Sequence, residues 1–273
     1  MKTKIDRVIM ALTNNQNYIG FWNYTSKIWK TKFGITPTLF FYGTIEEMDN
    51  LNFSKEYGEI FLLPRCESVT ACKDLDWACT WGLFYGASKF TEDICMLVGI
   101  DQIPLNTYFF DQWKNIENVK QKYVIGFSDA YADPDNLPNG VYFPSSHHIA
   151  CGQKFREIYD INENWFLELT KVYSLKNNYY IPSSCGWGLD EAHSATILNQ
   201  RRRTHGDVYL MKIFQSYWKH HRLDRSNMNQ FETVNIEDIK NKKYCEFHAA
   251  RPFEANNQVL MEKIYEAIPS MEW

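Results

Sequence analysis

One local pattern recurs through the first hundred residues, and it restricts the fold more than any other feature. A short apolar run is followed by a polar turn, then by large apolar side chains at three- and four-residue spacing. Arg7–Leu12 (RVIMAL) is the first such run and reads as a buried strand. After it, Tyr18, Phe21, Trp22, Thr25, Ile28, Trp29 and Phe33 fall on one helical face, and Gly34 stands where a left-handed cap suits glycine. Residues 38–42 (TLFFY) and 59–63 (EIFLL) read as strands, 70–88 as a helix, and 95–100 as a fourth strand. Strand, helix, strand, strand, helix, strand predicts an α/β protein with a mostly parallel central sheet flanked by helices.

The second half is less regular. Residues 123–127 read as a strand, 129–144 as a long loop with three prolines, and 152–159, 163–174 and 189–199 as helices. Val259, Leu260, Ile264, Ala267 and Ile268 mark a last amphipathic helix. No linker or repeat divides the chain, so residues 1–273 are expected to form one domain.

The net charge of −4 argues against a general nucleic-acid binder, and the run Arg201-Arg202-Arg203 reads as a solvated helix end. Aromatic residues reach 16%, enough either to fill a core or to line a cleft that stacks on bases or sugars. The seven cysteines are odd in number and include no C-x-x-C pair, which favours reduced thiols over a disulfide framework or a thiolate zinc site. No run approaches the roughly 18 apolar residues of a membrane span, and the apolar stretch at the start is short for a signal peptide. A soluble, cytoplasmic protein is the expectation.

Four constellations could carry chemistry. Asp101 follows the apolar run of LVGIDQIPL, at the end of a strand where open α/β sheets gather their ligands. An acid there can simply cap a turn, but it would also suit a divalent cation with hard oxygen ligands. In Trp187-Gly188-Leu189-Asp190-Glu191, glycines flank an indole that could wall a ligand, and two acids open a helix, where the dipole alone would also favour them. In His248-Ala249-Ala250-Arg251, an imidazole could ligate a metal and a guanidinium could grip phosphate. Finally, His147 and His148 lie on a strand and point to opposite faces, so at most one reaches a given site.

Together and in this order, these segments resemble the GT-A class of nucleotide-sugar-dependent glycosyltransferases, most of all its small single-domain bacterial and large-DNA-virus members. The opening βαβ unit is similar to the nucleotide-binding unit of that class. IDQIPL resembles the tail of its Asp-x-Asp metal motif, WGLDE its acceptor-side acidic motif, and HAARPF its late histidine segment. The resemblance implies a UDP- or GDP-sugar donor, a glycan or other hydroxyl acceptor, and Mn²⁺ or Mg²⁺ held by Asp101 and His248. It implies that Ala11, Leu12, Thr13 and Tyr18 border the nucleotide, that Arg251 offsets phosphate charge, and that Trp187, Gly188 and His148 line the sugar and acceptor. Asp190 or Glu191 would orient a sugar hydroxyl or act as base. A late histidine ligand is more familiar in retaining members. The chain departs from the motif at Gly99, where the first Asp would stand. That departure supports an alternative, a non-catalytic nucleotide- or glycan-binding protein on the same scaffold. A metal-dependent phosphoesterase would need more clustered ligands.

Overall fold

A computed structural model describes residues 4–66, 72–113, 116–135, 142–175, 188–225 and 234–270. The chain begins with strand β1 (Arg7–Leu12), helix α1 (Phe21–Phe33), β2 (Thr36–Gly43), α2 (Ile45–Asn50), β3 (Glu59–Pro64) and α3 (Cys72–Ala87). Next come β4 (Ile94–Leu97), β5 (Gln102–Pro104), α4 (Tyr108–Asp111), β6 (Tyr123–Ile125), β7 (His148–Cys151), α5 (Gly152–Tyr159) and α6 (Trp165–Ser174). It ends with α7 (Leu189–His205), β8 (Val208–Leu210), β9 (Arg222–Asp224), α8 (Ile236–Lys240), β10 (Glu246–His248) and α9 (Ala255–Ala267).

Seven strands form one sheet in the order β3-β2-β1-β4-β7-β6-β8. β7 runs against β4 and β6, and every other pairing is parallel, so the expected mostly parallel sheet is present. Side chains alternate across it. Val8, Met10, Leu39, Phe41, Ile94, Met96, Val124 and Ile149 join the core on one face. Ile9, Phe40, Tyr42, Cys95, Leu97, Tyr123, Ile125 and Ala150 join the core on the other. Both faces are covered, which is why these strands read as unbroken apolar runs. α1 and α9 cover the first face through Phe21, Trp22, Ile28, Trp29, Met261 and Ile264. α3, α5, α6 and α7 cover the second through Trp81, Phe84, Phe155, Leu169 and Leu198. Among the described residues, the twelve largest fully buried side chains are all Trp, Tyr or Phe, so much of the aromatic surplus is core. Cys95, Cys151 and Cys245 are buried free thiols. No helix among the described residues is long and apolar enough to cross a membrane.

Local chemistry sets the boundaries. Gly34 closes α1 at φ 62°, and its N–H bonds to Lys30 O. α2 carries a capping box, with the Thr44 hydroxyl accepting from Glu47 N and the Glu47 carboxylate accepting from Thr44 N. β4 is shorter than the apolar run suggested. It ends at Leu97, and the chain turns through Gly99, whose carbonyl accepts from Gln102 N at 3.0 Å. Val98 and Ile100 are buried all the same, because apolarity reports burial and not strand pairing.

The turn delivers the chain into a second, three-stranded sheet, β5-β10-β9. Its strands have three residues each, with Gln102, His248 and Asp224 in register, and Ile103, Phe247 and Leu223 beside them. The three apolar residues enter the core, so the polar ones lie on the other face.

Candidate active site

Loops beyond the carboxyl ends of β1 and β4, the polar face of the small sheet and the start of α7 enclose a cleft of about 710 Å³. Ten of the twelve site residues expected from the sequence line it, Ala11, Leu12, Thr13, Tyr18, Asp101, Gly188, Asp190, Glu191, His248 and Arg251, and Gly99 lines it as well. Trp187 lies outside the described residues. His148 does not line it.

At one end of the cleft Asp101 stands among cations. Its Oδ2 accepts from Arg225 Nη1 at 2.7 Å, with His248 Nε2 at 3.5 Å and Arg251 Nε at 3.6 Å. Its backbone is fixed as well, since Asp101 O accepts from Ala249 N at 2.9 Å and Ile100 O accepts from the Thr25 hydroxyl of α1. His248 Nδ1 lies 3.2 Å from Asp224 Oδ2. Burial opposes the charged imidazolium, but the hydrogen bonds to Asp101 and Asp224 outweigh it and raise the His248 pKa. Arg251 lies over the Tyr18 ring, 4.7 Å from its centroid. The segment that carries it is clamped by the Asn257 amide, which donates to Ala250 O and Pro252 O, and by Phe253 packed edge-on against Phe21.

A second layer supports this group. Arg222 Nε lies 2.8 Å from Glu246 Oε1 and 3.2 Å from Asp224 Oδ2, close enough to pair electrostatically but out of line for a hydrogen bond. Glu246 Oε2 also meets His147 Nε2 at 3.0 Å. Burial alone would raise the Glu246 pKa, but Arg222 and His147 pull it down to about 2.

Across the cleft, α7 begins at Gly188, whose φ of 98° favours glycine. Its first turn presents Asp190 and Glu191. Asp190 is 3% exposed and accepts a hydrogen bond from the Ser145 hydroxyl. Glu191 Oε1 accepts from Tyr131 OH at 2.9 Å. Burial raises the Asp190 pKa against the Ser145 hydrogen bond and backbone N–H groups. Burial, and then the Asp190 charge, raises Glu191 to about 8. Two carboxylates side by side resist ionising together.

His148 is corrected to a core residue. β7 turns it away from the cleft onto the face of Phe84 and Tyr123. Its Nε2 lies 2.7 Å from Pro144 O, a carbonyl that can only accept, so Nε2 carries the proton. Tyr123 OH then donates to Nδ1 at 2.7 Å and accepts from Tyr159 OH at 2.9 Å. Burial lowers the His148 pKa to about 3. His147 is also fully buried.

The sequence reading missed Arg222, Asp224, Arg225, Glu246 and Tyr131, and gave Ser145, just before the histidine pair, no role. A signal existed for three of them: RLD at 222–224 and EFH at 246–248 alternate charge and apolarity, the period of a strand with one polar face, and Arg225 falls outside that alternation. Among the described residues, no group of three or more His, Cys, Asp or Glu side chains could hold a metal ion.

No protein-family model matches the chain, and no curated protein matches it. Among solved structures it is similar to an active-site mutant of LgtC, at 10% identity and a TM-score of 0.49, over 96% of this chain and 94% of that one. At the same identity and TM-score, it is similar over 97% of both chains to the galactosyltransferase LgtC in complex with donor and acceptor sugar analogues.

Proposed function

We propose that the chain is a GT-A-type glycosyltransferase that moves a sugar from a nucleoside-diphosphate donor, UDP- or GDP-linked, to a glycan or other hydroxyl acceptor. One observation carries this reading. A single cleft at the ligand edge of an α/β sheet holds an arginine group at one end and an acid pair at the other. Sugar transfer from such a donor can use both. Negative charge grows on the departing diphosphate, where Arg225 and Arg251 can stabilise it. Positive charge grows on the sugar ring, where a carboxylate suits. Ala11, Leu12, Thr13 and Tyr18 border the nucleotide, and Gly188 leaves room for the sugar and acceptor.

Asp190 and Glu191 divide the acid work. Glu191, raised to about 8, holds its proton near neutral pH, while Asp190 accepts hydrogen bonds from Ser145 and from backbone N–H groups at the start of α7. A protonated Glu191 orients a hydroxyl and is not a base. That supports retention of configuration at the sugar carbon, since an inverting enzyme needs an ionised base in line with that carbon.

The Mn²⁺ or Mg²⁺ that the resemblance implies fits these residues poorly. When bound, such a cation would neutralise the diphosphate. Asp101 Oδ2 already accepts from Arg225, and His248 and Arg251 stand close behind it, so a cation there would meet two guanidinium groups.

The test is release of nucleoside diphosphate from a panel of UDP- and GDP-sugars, with and without sugar acceptors. Asp190→Asn is expected to lower turnover by about 100-fold or more. Glu191→Gln, which mimics the protonated acid, is expected to keep most of it at pH 7. Nucleotide binding without turnover of any donor would favour the non-catalytic reading, which Gly99 supports.

A further inference from the structure

Asp101 is the one acid that remains where the resemblance places a metal motif, and its surroundings are those of an arginine clamp. Arg225 donates to its Oδ2, and Arg251 Nε lies 3.6 Å from the same oxygen. The two side chains are 31% and 26% exposed, and both line the cleft. One carboxylate offsets at most one of these two fixed charges. Among the described residues Arg251 donates no hydrogen bond, and its Cζ lies 4.7 Å from the centroid of the Tyr18 ring. Each guanidinium has five N–H donors in a planar fork, the geometry that grips phosphate oxygens through paired hydrogen bonds. Gly99 completes the picture. A Cβ built there would lie 2.9 Å from Asp101 Oδ1 and 3.0 Å from Gln102 Oε1, and Gly99 N itself donates to that Gln102 oxygen at 2.6 Å. The space of the motif's first acid is thus already filled by Asp101 and Gln102.

We propose that this cleft holds a diphosphate without a divalent cation, with Arg225 and Arg251 in the cation's place and Asp101 as the carboxylate that positions them. Identification of that diphosphate as part of a sugar donor rests on the transferase reading. Arg222 does not belong to the clamp, because its side chain is 8% exposed and committed to Glu246 and Asp224. Asp101 is a positioning residue here. It aligns two like charges that would otherwise repel, and an arriving phosphate replaces part of its contact with Arg251.

Calorimetric titration of UDP, GDP and inorganic pyrophosphate into the purified chain, in EDTA and then in Mn²⁺, tests this. At least one nucleotide is expected to bind in EDTA with an affinity that Mn²⁺ leaves unchanged. Arg225→Gln and Arg251→Gln should each weaken that binding by about tenfold or more, and the double substitution should remove it. Arg251→Lys keeps the charge but loses the fork, and should fall between Arg251 and Gln. Thermal unfolding without ligand shows that each variant is folded. Nucleotide binding that vanishes in EDTA and returns with Mn²⁺ overturns the proposal and leaves the transferase reading standing. Pyrophosphate binding in EDTA that needs both arginines, with neither nucleotide bound, supports the anion site and overturns the transferase reading. Failure of all three probes to bind in EDTA overturns the proposal.

Discussion

Gly99 is the residue on which the chemistry of the cleft turns. A side chain there must displace the Asp101 carboxylate or the Gln102 amide, both ends of flexible side chains, so the protein can accept it by moving them. Gly99→Asp would also set a second negative charge beside the arginine clamp. One like charge near the surface is worth about 1–4 kcal/mol at contact distance, so metal-free nucleotide binding should weaken by roughly tenfold or more. Calorimetry in EDTA measures this, and tighter binding of the variant would contradict an arginine-held diphosphate. Legibility at this scale followed from contrast. Asp101 and Asp190 stood out because each is an acid at the edge of an apolar or glycine-rich run, and both line the cleft. Arg225 gave no such contrast, since an arginine in a charged surface stretch is ordinary. Its role comes from Asp101, 124 positions away in sequence and 2.7 Å away in space.

Elements were legible in proportion to their length. β1, α1, β2, β3 and α3 run over six to sixteen residues, long enough for a period to repeat, and each was read to within three residues at either end. β5, β9 and β10 have three residues each, too few for a period, and exist because neighbouring segments pair there. α7 extends to His205, beyond the expected end at 199, and takes the arginine run with it. That run is less idle than a solvated helix end. Arg201 grips Asp207 through Nε at 3.1 Å and Nη2 at 2.8 Å, and Lys154 of α5 reaches the same carboxylate at 3.0 Å. Burial would raise the Asp207 pKa, but the two cations win and lower it to about 2. A folded pKa below the unfolded one gives stability that is full above about pH 4 and is lost as the pH falls through 2. After solvent screening, the contribution is about 1–2 kcal/mol. Asp207→Asn should therefore destabilise the protein by that amount at pH 7 and by almost nothing near pH 2. Urea unfolding at the two values checks it, and an equal loss at both would show that the carboxylate charge is not the cause.

Several titratable groups sit inside the aromatic core, and this sets the molecule's response to acid. Three histidines sit where charge is penalised. Burial lowers His147, lowers His148 to about 3 and lowers His193 to about 4. Each stays neutral in the fold at pH values where an unfolded chain would bind a proton. Their contribution is full above the unfolded pKa of about 6.5 and declines as the pH falls toward the folded values. His248 acts in the opposite sense, because its raised pKa adds stability below about 6.5 that is lost as the pH climbs through the folded value. Three depressed groups outweigh one raised group, so the sum falls on acidification. The buried acid Glu246 is held at about 2 and enters only below about pH 4, which keeps the two windows apart. The His148 term alone is on the order of 4 kcal/mol between pH 7 and pH 3, a large part of the 5–15 kcal/mol that holds a typical domain folded. The melting temperature should therefore drop steadily from pH 7 to pH 5. His148→Gln keeps polar atoms for Tyr123 and Pro144 but cannot charge, so it should be less stable than the parent at pH 7 and flatter across that range. Calorimetric scans of both proteins at half-unit steps decide it. A parent that melts at the same temperature at pH 5 and pH 7, or a variant with an equally steep fall, would mean that the buried imidazole does not govern the acid response.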